Sequence, residues 1–125
     1  MFEPHRIPSI SPADAHSQLS DVRDGEVGPL LVDVRESNEF AEVRAAGAVL
    51  SPLSTFAVRH AELPKDRPLL MICQSGARSG RATAFLIANG WPDVKNVVGG
   101  TLAWAQAGLP VRKGPPGPGE GELAR

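Results

Sequence analysis

The sequence predicts an α/β domain of three layers, in which a central parallel sheet of about five strands carries helices on both faces. Strand and helix patterns alternate along most of the 125 residues, and this order favours a parallel sheet with right-handed crossovers. Residues 69–72 form a short, continuous apolar run, which is typical of a strand buried on both faces. From Ser79 onward the apolar positions have helical spacing, so the run and the helix form one strand–loop–helix unit.

The first half of the chain begins with a capped helix. We predict a helix over residues 11–19. Its N-cap is Ser11, and its first turn contains the proline Pro12 and the acidic residue Asp14. The elements that follow are a loop over 21–29, a strand over 30–34, a short helix from 36 with Phe40 in the core, a loop over 41–47 and a brief strand over 48–50.

The second half continues the alternation around the central strand. Helical spacing predicts a helix over 54–63, which Pro64 closes, and another over 79–89. The second of these helices ends at Asn89 and Gly90 in the manner of a left-handed C-cap. The last elements are a strand over 94–98, a glycine pair and a helix over 101–107.

The C-terminal residues differ in composition from the rest of the chain. Residues 114–125 are rich in glycine and proline, and they have too few apolar side chains to offset the entropy cost of ordering them. We therefore predict a folded domain over 1–113 and a disordered tail over 114–125. Removal of that tail is expected to change neither the melting temperature nor the activity.

The loop over residues 73–79 is the predicted centre of the chemistry. It starts at Cys73, the only cysteine, at the carboxyl end of the central strand, where α/β sheets bind ligands. Gly76 allows backbone angles that let the N–H groups of 74–78 face one point, and the following helix adds the positive end of its dipole. With the charge of Arg78, this cradle would lower the pKa of Cys73 and make it a nucleophile. The alternative is a small buried hydrophobe, a common role of free cysteine.

Composition and charge argue against several other kinds of protein. A net charge of −1 and a pI near 6.3 give no basic surface, so we expect neither a nucleic acid nor a membrane as partner. A lone cysteine cannot form an intrachain disulfide, and no paired Cys/His spacing predicts a metal or another cofactor. The chain has no apolar leader or membrane-spanning run, which predicts a soluble, cytoplasmic protein. His5, His16 and His60 fall in no motif, so no general base is predicted.

Four segments together resemble the rhodanese, or sulfurtransferase, family in its single-domain form. The resemblance covers about residues 6–112. Residues 73–79 resemble the C-x-x-G-x-R-S active loop of the family, and residues 31–40 resemble its D-V-R-x-x-x-E-F segment. Residues 47–52 resemble its G-A-x-x-x-P, and residues 99–111 resemble its closing G-G, W and G-x-P-V. Each fragment is weak alone, but four in the order and spacing of the family are a strong signal.

The resemblance implies a sulfur-transfer reaction without a cofactor. Cys73 would take a sulfane sulfur from a small-molecule donor such as thiosulfate, hold it as a persulfide, and pass it to cyanide or a thiol. A protein is a further acceptor that this chemistry allows. Because the chain has no second cysteine, the sulfur must leave to an outside acceptor. The resemblance assigns substrate binding to the rest of the loop, which comprises Gln74, Ser75, Gly76, Ala77, Arg78 and Ser79.

Two features of the resemblance leave alternatives open. Asp33 and Arg35 match a segment near the active edge, where they either contact the substrate or form a salt bridge that ties a strand to a loop. The family usually has the sequence G-H-I ahead of its G-A pair, and this chain has Val43, Arg44 and Ala45 at those positions. This change replaces a histidine near the active edge with a cation, which leaves the preferred donor open.

Two other functions are compatible with the same loop. Phosphatases and arsenate reductases also place a cysteine and an arginine at a helix N-terminus, but their loop resembles C-x5-R, whereas Cys73 to Arg78 is C-x4-R. The smaller cradle suits a sulfur atom better than a tetrahedral oxyanion. The second alternative is a non-catalytic rhodanese-like binding or regulatory module, against which the retained Cys73 argues.

Overall fold

The strands form one large and one small sheet. The computed structural model describes residues 7–123, and seven strands lie within that range. They are β1 (Ser9–Ile10), β2 (Leu30–Asp33), β3 (Val43–Ala45), β4 (Val49–Leu50), β5 (Leu69–Ile72), β6 (Val94–Val97) and β7 (Val111–Lys113). Five of them form a wholly parallel sheet in the order β1-β6-β5-β2-β4. The prediction of a central parallel sheet of about five strands is confirmed.

The α-helices within the described range are α1 (Pro12–Ser20), α2 (Ser37–Glu42), α3 (Leu53–Arg59), α4 (Ala77–Ala88) and α5 (Gly100–Gln106). As predicted, Ser11 caps α1, because its hydroxyl oxygen accepts a hydrogen bond of 3.1 Å from the N–H of Asp14. α4 begins at Ala77 rather than at Ser79, because Gly76 takes the capping position with a φ of 107°. Among these helices, none combines the length and the apolar character that crossing a membrane would require.

Two apolar clusters, one on each face of the sheet, hold the layers together. On one face Phe56 of α3 and Leu86 of α4 belong to a cluster that includes Met71 of β5. On the other face the cluster includes Trp104 of α5 and Ile72 of β5. Successive residues of a strand point to opposite faces, so the fully buried β5 contributes to both clusters. Helices therefore cover both faces, as the sequence predicts.

The sequence does not predict the small sheet. β3 pairs antiparallel with β7, so part of the predicted loop over 41–47 is a strand. β1, which pairs with β6, is also absent from the predicted elements. These three strands are only two or three residues long. Strands so short carry no periodic pattern, and their pairing depends on partners far away in the chain.

Arg44 anchors the C-terminal segment 114–123 to the domain, so the predicted disordered tail is wrong for these residues. The side chain of Arg44 is 3% exposed and forms a salt bridge of 2.6 Å with Glu120. It also donates a hydrogen bond of 2.7 Å to the carbonyl of Gly114, and its guanidinium lies 5.2 Å from the ring centroid of Phe40. The cation that replaces the histidine of the family motif is therefore neutralised by this segment.

The end of the segment also contacts the domain. The carbonyl of Gly121 accepts a hydrogen bond of 2.7 Å from the N–H of Leu50 on β4. A Cβ at Gly121 would lie 2.9 Å from the ring of Phe40, so a glycine is needed for this close approach. Leu123 packs against the cluster on the α3 and α4 face. A few specific contacts order the segment, although its average composition is that of a disordered chain.

A protein truncated after Gly114 is expected to melt at a temperature lower by roughly 5 °C or more. The truncation removes Glu120, which would leave the buried charge of Arg44 without its carboxylate partner. Thermal unfolding followed by circular dichroism measures the effect, with Glu122→Gln, a change at an exposed position of the same segment, as the control. The reactivity of Cys73 should change little, because Gly76 and Ser79, which donate hydrogen bonds to its sulfur, lie outside the removed segment. A truncated protein with the wild-type melting temperature would support the disordered tail.

Candidate active site

Cys73 directly follows β5, which lies between β6 and β2 in the middle of the sheet. The residue is a free cysteine and is 1% exposed. The other predicted site residues surround it with different exposure: Gln74, Ser75 and Ala77 are exposed, Gly76 and Arg78 are half-buried, and Ser79 is buried. The sulfur therefore lies beneath a loop whose rim faces the solvent.

Two hydrogen-bond donors point at the sulfur of Cys73. The N–H of Gly76 lies 3.1 Å from Sγ, and the hydroxyl oxygen of Ser79 lies 3.3 Å from it. Gly76 caps α4 and Ser79 belongs to its first turn, so the positive end of the helix dipole adds to both donors. The structure thus brings together Cys73, Gly76 and Ser79 of the predicted cradle.

The pKa of the Cys73 thiol is lowered from its ordinary value. Burial opposes this shift, because it disfavours the charged form of the sulfur. The hydrogen bond from the Ser79 hydroxyl, together with bonds from the backbone N–H groups of Ser79, Gly76 and Ser75, outweighs the burial. The loop therefore favours a thiolate at a position that is almost inaccessible to solvent.

The start of α5 fixes the backbone of the loop. The carbonyl of Cys73 accepts hydrogen bonds from the N–H of Thr101 at 2.8 Å and from its hydroxyl at 2.9 Å. The carbonyl of Gln74 accepts a bond of 3.0 Å from the N–H of Leu102. Gly100 permits this contact, since a Cβ there would lie 2.5 Å from the Cys73 carbonyl oxygen. The predicted site omits these residues of α5, although the glycine pair ahead of Thr101 was a signal for a close backbone approach.

Arg78, the predicted source of positive charge near the thiol, is paired with a carboxylate. It donates two hydrogen bonds of 2.7 Å to the two carboxylate oxygens of Glu39 on α2. The hydrogen bond from Arg78 lowers the pKa of Glu39 to about 2, against the effect of burial. The same bond raises the pKa of Arg78. The pair is neutral as a whole and ties the active loop to α2, and sequence reasoning did not include Glu39 in the site.

Asp33 and Arg35 form the salt bridge that was one of the two alternatives for this segment. Both side chains are buried, and their closest charged atoms lie 2.8 Å apart. Arg35 also donates a hydrogen bond of 2.7 Å to the carbonyl of Val43. This network joins the end of β2 to the start of β3, which is a structural role.

The histidines of the described range pack against aromatic rings. His16 contacts Trp104 edge-on with the ring centroids 5.8 Å apart, and His60 contacts Phe85 in the same way at 4.7 Å. His5 lies outside the described residues. Among residues 7–123, no group of three or more His, Cys, Asp and Glu side chains could hold a metal ion.

Acid is expected to weaken the link between α2 and the active loop. The pKa of Glu39 is about 2 in the folded protein, against an ordinary 4.5. The Arg78–Glu39 bond therefore contributes its full stability above about pH 4.5 and loses it as the pH falls from there towards 2. The pair is partly exposed, so this contribution is about 1 kcal/mol or less.

The test of this expectation is urea unfolding of the Glu39→Gln protein at about pH 7, 5 and 3. The variant should be less stable than the wild type at neutral pH. The difference should shrink in acid, because Glu39 of the unfolded wild type binds a proton below about pH 4.5 and must lose it again on folding. Glu42→Gln makes the same charge change on the same helix and is the control. A stability difference that does not depend on pH would contradict the assignment.

The order of the sheet and the thiol held under a helix N-terminus define an α/β domain with a free, buried cysteine at the end of a central strand. The chain belongs to the family of rhodanese-like domains, because the family model with that description matches residues 11–107. This finding agrees with the four segments of the sequence that resemble the family.

Relatives and solved structures support the same family. The chain is 37% identical over 105 residues to a sulfurtransferase of Allochromatium vinosum, covering 84% of this chain and 94% of the relative. It is 34% identical over 128 residues to thiosulfate sulfurtransferase 16, chloroplastic, of Arabidopsis thaliana, covering 90% and 99%. A crystal structure of a rhodanese-related protein from Thermoplasma volcanium superposes with a TM-score of 0.74 at 28% identity, covering 84% and 97%. Relatives named as sulfurtransferases support a transferase of the rhodanese family.

Proposed function

We propose that the protein is a sulfurtransferase that carries a sulfane sulfur as a persulfide on Cys73, with thiosulfate as a donor and cyanide or a thiol as the acceptor. The observation that carries this proposal is the position of Sγ, 3.1 Å from the N–H of Gly76 and 3.3 Å from the hydroxyl oxygen of Ser79. These donors stabilise an anionic sulfur, which is the nucleophile that the reaction needs.

In the first half of the reaction, the thiolate of Cys73 attacks the sulfane sulfur of thiosulfate. An S–S bond to Cys73 forms while the S–S bond of thiosulfate breaks, and sulfite leaves with the electron pair. The negative charge then lies on the outer sulfur of the persulfide. We assign the binding of the donor to residues 74–79, since the N–H groups of a helix N-terminus favour an anion. The Arg78–Glu39 pair would keep this loop in place.

In the second half, cyanide or the thiolate of an acceptor attacks the outer sulfur. The S–S bond to Cys73 breaks, Cys73 leaves as a thiolate, and the product is thiocyanate or a persulfide of the acceptor. The lowered pKa of Cys73 makes it a good leaving group. The chain has one cysteine, so the acceptor is another molecule, either a small thiol or a protein thiol. No nucleic acid and no membrane takes part, and a reducing compartment such as the cytoplasm suits the free thiolate.

The test is mass spectrometry of the intact protein after incubation with thiosulfate. The protein should gain the mass of one sulfur atom and lose it on addition of cyanide or dithiothreitol, and a Cys73→Ala protein should gain none. Hydrolysis of an aryl phosphate without any added sulfur would support the phosphatase alternative instead. A protein that neither gains sulfur nor hydrolyses phosphate would support a non-catalytic binding module.

A further inference from the structure

The hydroxyl of Ser79 has two acceptors but a single proton. Its oxygen lies 3.3 Å from Sγ of Cys73 and 2.6 Å from Oδ1 of Asn96. The Ser79 side chain is fully buried, so solvent does not supply a further partner. Because a hydroxyl donates one proton, it serves only one of the two acceptors at a time. The shorter distance favours Asn96 whenever the sulfur carries no charge.

The surroundings of Asn96 hold its amide in the orientation that makes it an acceptor for Ser79. Nδ2 of Asn96 donates a hydrogen bond of 3.1 Å to the carbonyl of Gly76. A flipped amide would set Oδ1 against that carbonyl oxygen, acceptor against acceptor. The backbone of Asn96 is fixed by β6, where it pairs with Met71 of β5.

We propose that Asn96 is a positioning residue that controls the hydroxyl proton of Ser79 and thereby the charge state of the Cys73 sulfur. In the thiol state, the S–H donates to the Ser79 oxygen while the Ser79 hydroxyl donates to Asn96. In the thiolate state, the hydroxyl turns to Sγ and gives up its bond to Asn96, so Asn96 opposes ionisation. When Sγ becomes neutral in the persulfide, the hydroxyl returns to Asn96.

This inference rests on the proposed role of Cys73 as a nucleophile, but its test needs no sulfur donor. The rate of alkylation of Cys73 by iodoacetamide is measured against pH in the wild type, Ser79→Ala, Asn96→Ala and the double variant. Ser79→Ala should raise the midpoint of the profile, because the thiolate loses a donor. Asn96→Ala should lower the midpoint by about half a unit to one unit when Ser79 is present, because the hydroxyl no longer has a competing acceptor.

The double variant decides whether Asn96 acts through Ser79. The effect of Asn96→Ala should vanish or become much smaller in the Ser79→Ala background, whereas loss of the tether to Gly76 affects both backgrounds equally. Equal shifts in the two backgrounds, or no shift at all, would overturn the proposal. Asn89→Ala, at the far end of α4, is the control and should leave the midpoint unchanged.

A second variant covers the case that Asn96→Ala does not fold. Asn96→Asp loses the hydrogen bond to the Gly76 carbonyl but keeps an acceptor for Ser79. Its charge holds the Ser79 proton more strongly, so the midpoint should rise. The rise should be larger with Ser79 present than in the Ser79→Ala background. A rise of the same size in both backgrounds would assign the effect to the charge alone and overturn the proposal. A persulfide that fails to form with thiosulfate would count against the proposed function without affecting this result.

Discussion

The Cys73→Ser protein is expected to lose sulfur transfer by at least roughly a thousandfold while keeping its fold. A serine hydroxyl at this position would still accept the N–H bond of Gly76, but its high pKa leaves it protonated and unable to attack a sulfane sulfur. Serine is similar in size to cysteine, so the packing beneath the loop is preserved. The measurement is the formation of thiocyanate from thiosulfate and cyanide, together with the melting temperature of the variant.

Cys73→Ala is the companion variant, because it removes the hydroxyl as well as the thiol. Both variants should melt within a few degrees of the wild type and should be equally inactive. Sulfur transfer by the serine variant at a rate close to the wild type would show that Cys73 does not carry the sulfur, whatever the melting temperatures are.

Gly100→Ala is expected to lower sulfur transfer by roughly tenfold or more and to destabilise the fold by about 2–4 kcal/mol. A Cβ at Gly100 would lie 2.5 Å from the carbonyl oxygen of Cys73 and 2.6 Å from the backbone of Gln74, in a residue with a φ of 61°. α5 would have to move away from the loop, which would break the bonds from Thr101 and Leu102 to those carbonyls. The donors at Sγ would then be misplaced.

Gly108→Ala separates the cost of the backbone angle from the cost of the collision. Gly108 follows α5 with a φ of 75°, but a Cβ there would have no heavy atom within 4 Å among the described residues. It should destabilise the protein by about 1–2 kcal/mol and leave sulfur transfer unchanged. If the two variants lose stability and activity to the same extent, the contact between α5 and the loop is not what positions Cys73.

The sequence predicts the parts of the site that depend on neighbouring residues. An apolar run that ends at Cys73, a glycine and a helical pattern lie within a few positions of one another, and each has a local physical cause. The helix after the loop was predicted from that order, although it begins at Ala77, two residues before the predicted start, because Gly76 takes the capping position. The fold class is predictable for a related reason, because alternating strands and helices permit few arrangements.

The sequence does not predict the contacts that join distant positions. Arg78 pairs with Glu39, and Arg44 pairs with Glu120. Charged residues usually lie at the surface, and the periodic pattern of apolar residues does not show which of them will form pairs. The proton shared between Ser79 and Asn96 depends on which residue of β6 faces α4, and this follows only from the register of the sheet. The disordered tail was predicted from the average composition of residues 114–125. An average of this kind does not show that one carboxylate, that of Glu120, will pair with the buried Arg44.

The docked C-terminal segment has a consequence for association between molecules. β4 is an outer strand of the large sheet, and an unprotected outer strand offers its N–H and C=O groups to a strand of another chain. The N–H of Leu50 already donates a hydrogen bond to the carbonyl of Gly121, so it is not free to bind another chain. The prolines and glycines of the segment are poor partners for further strand pairing. The segment has the composition of a flexible linker, but by covering β4 it hinders the pairing of this edge of the sheet with a strand of another molecule.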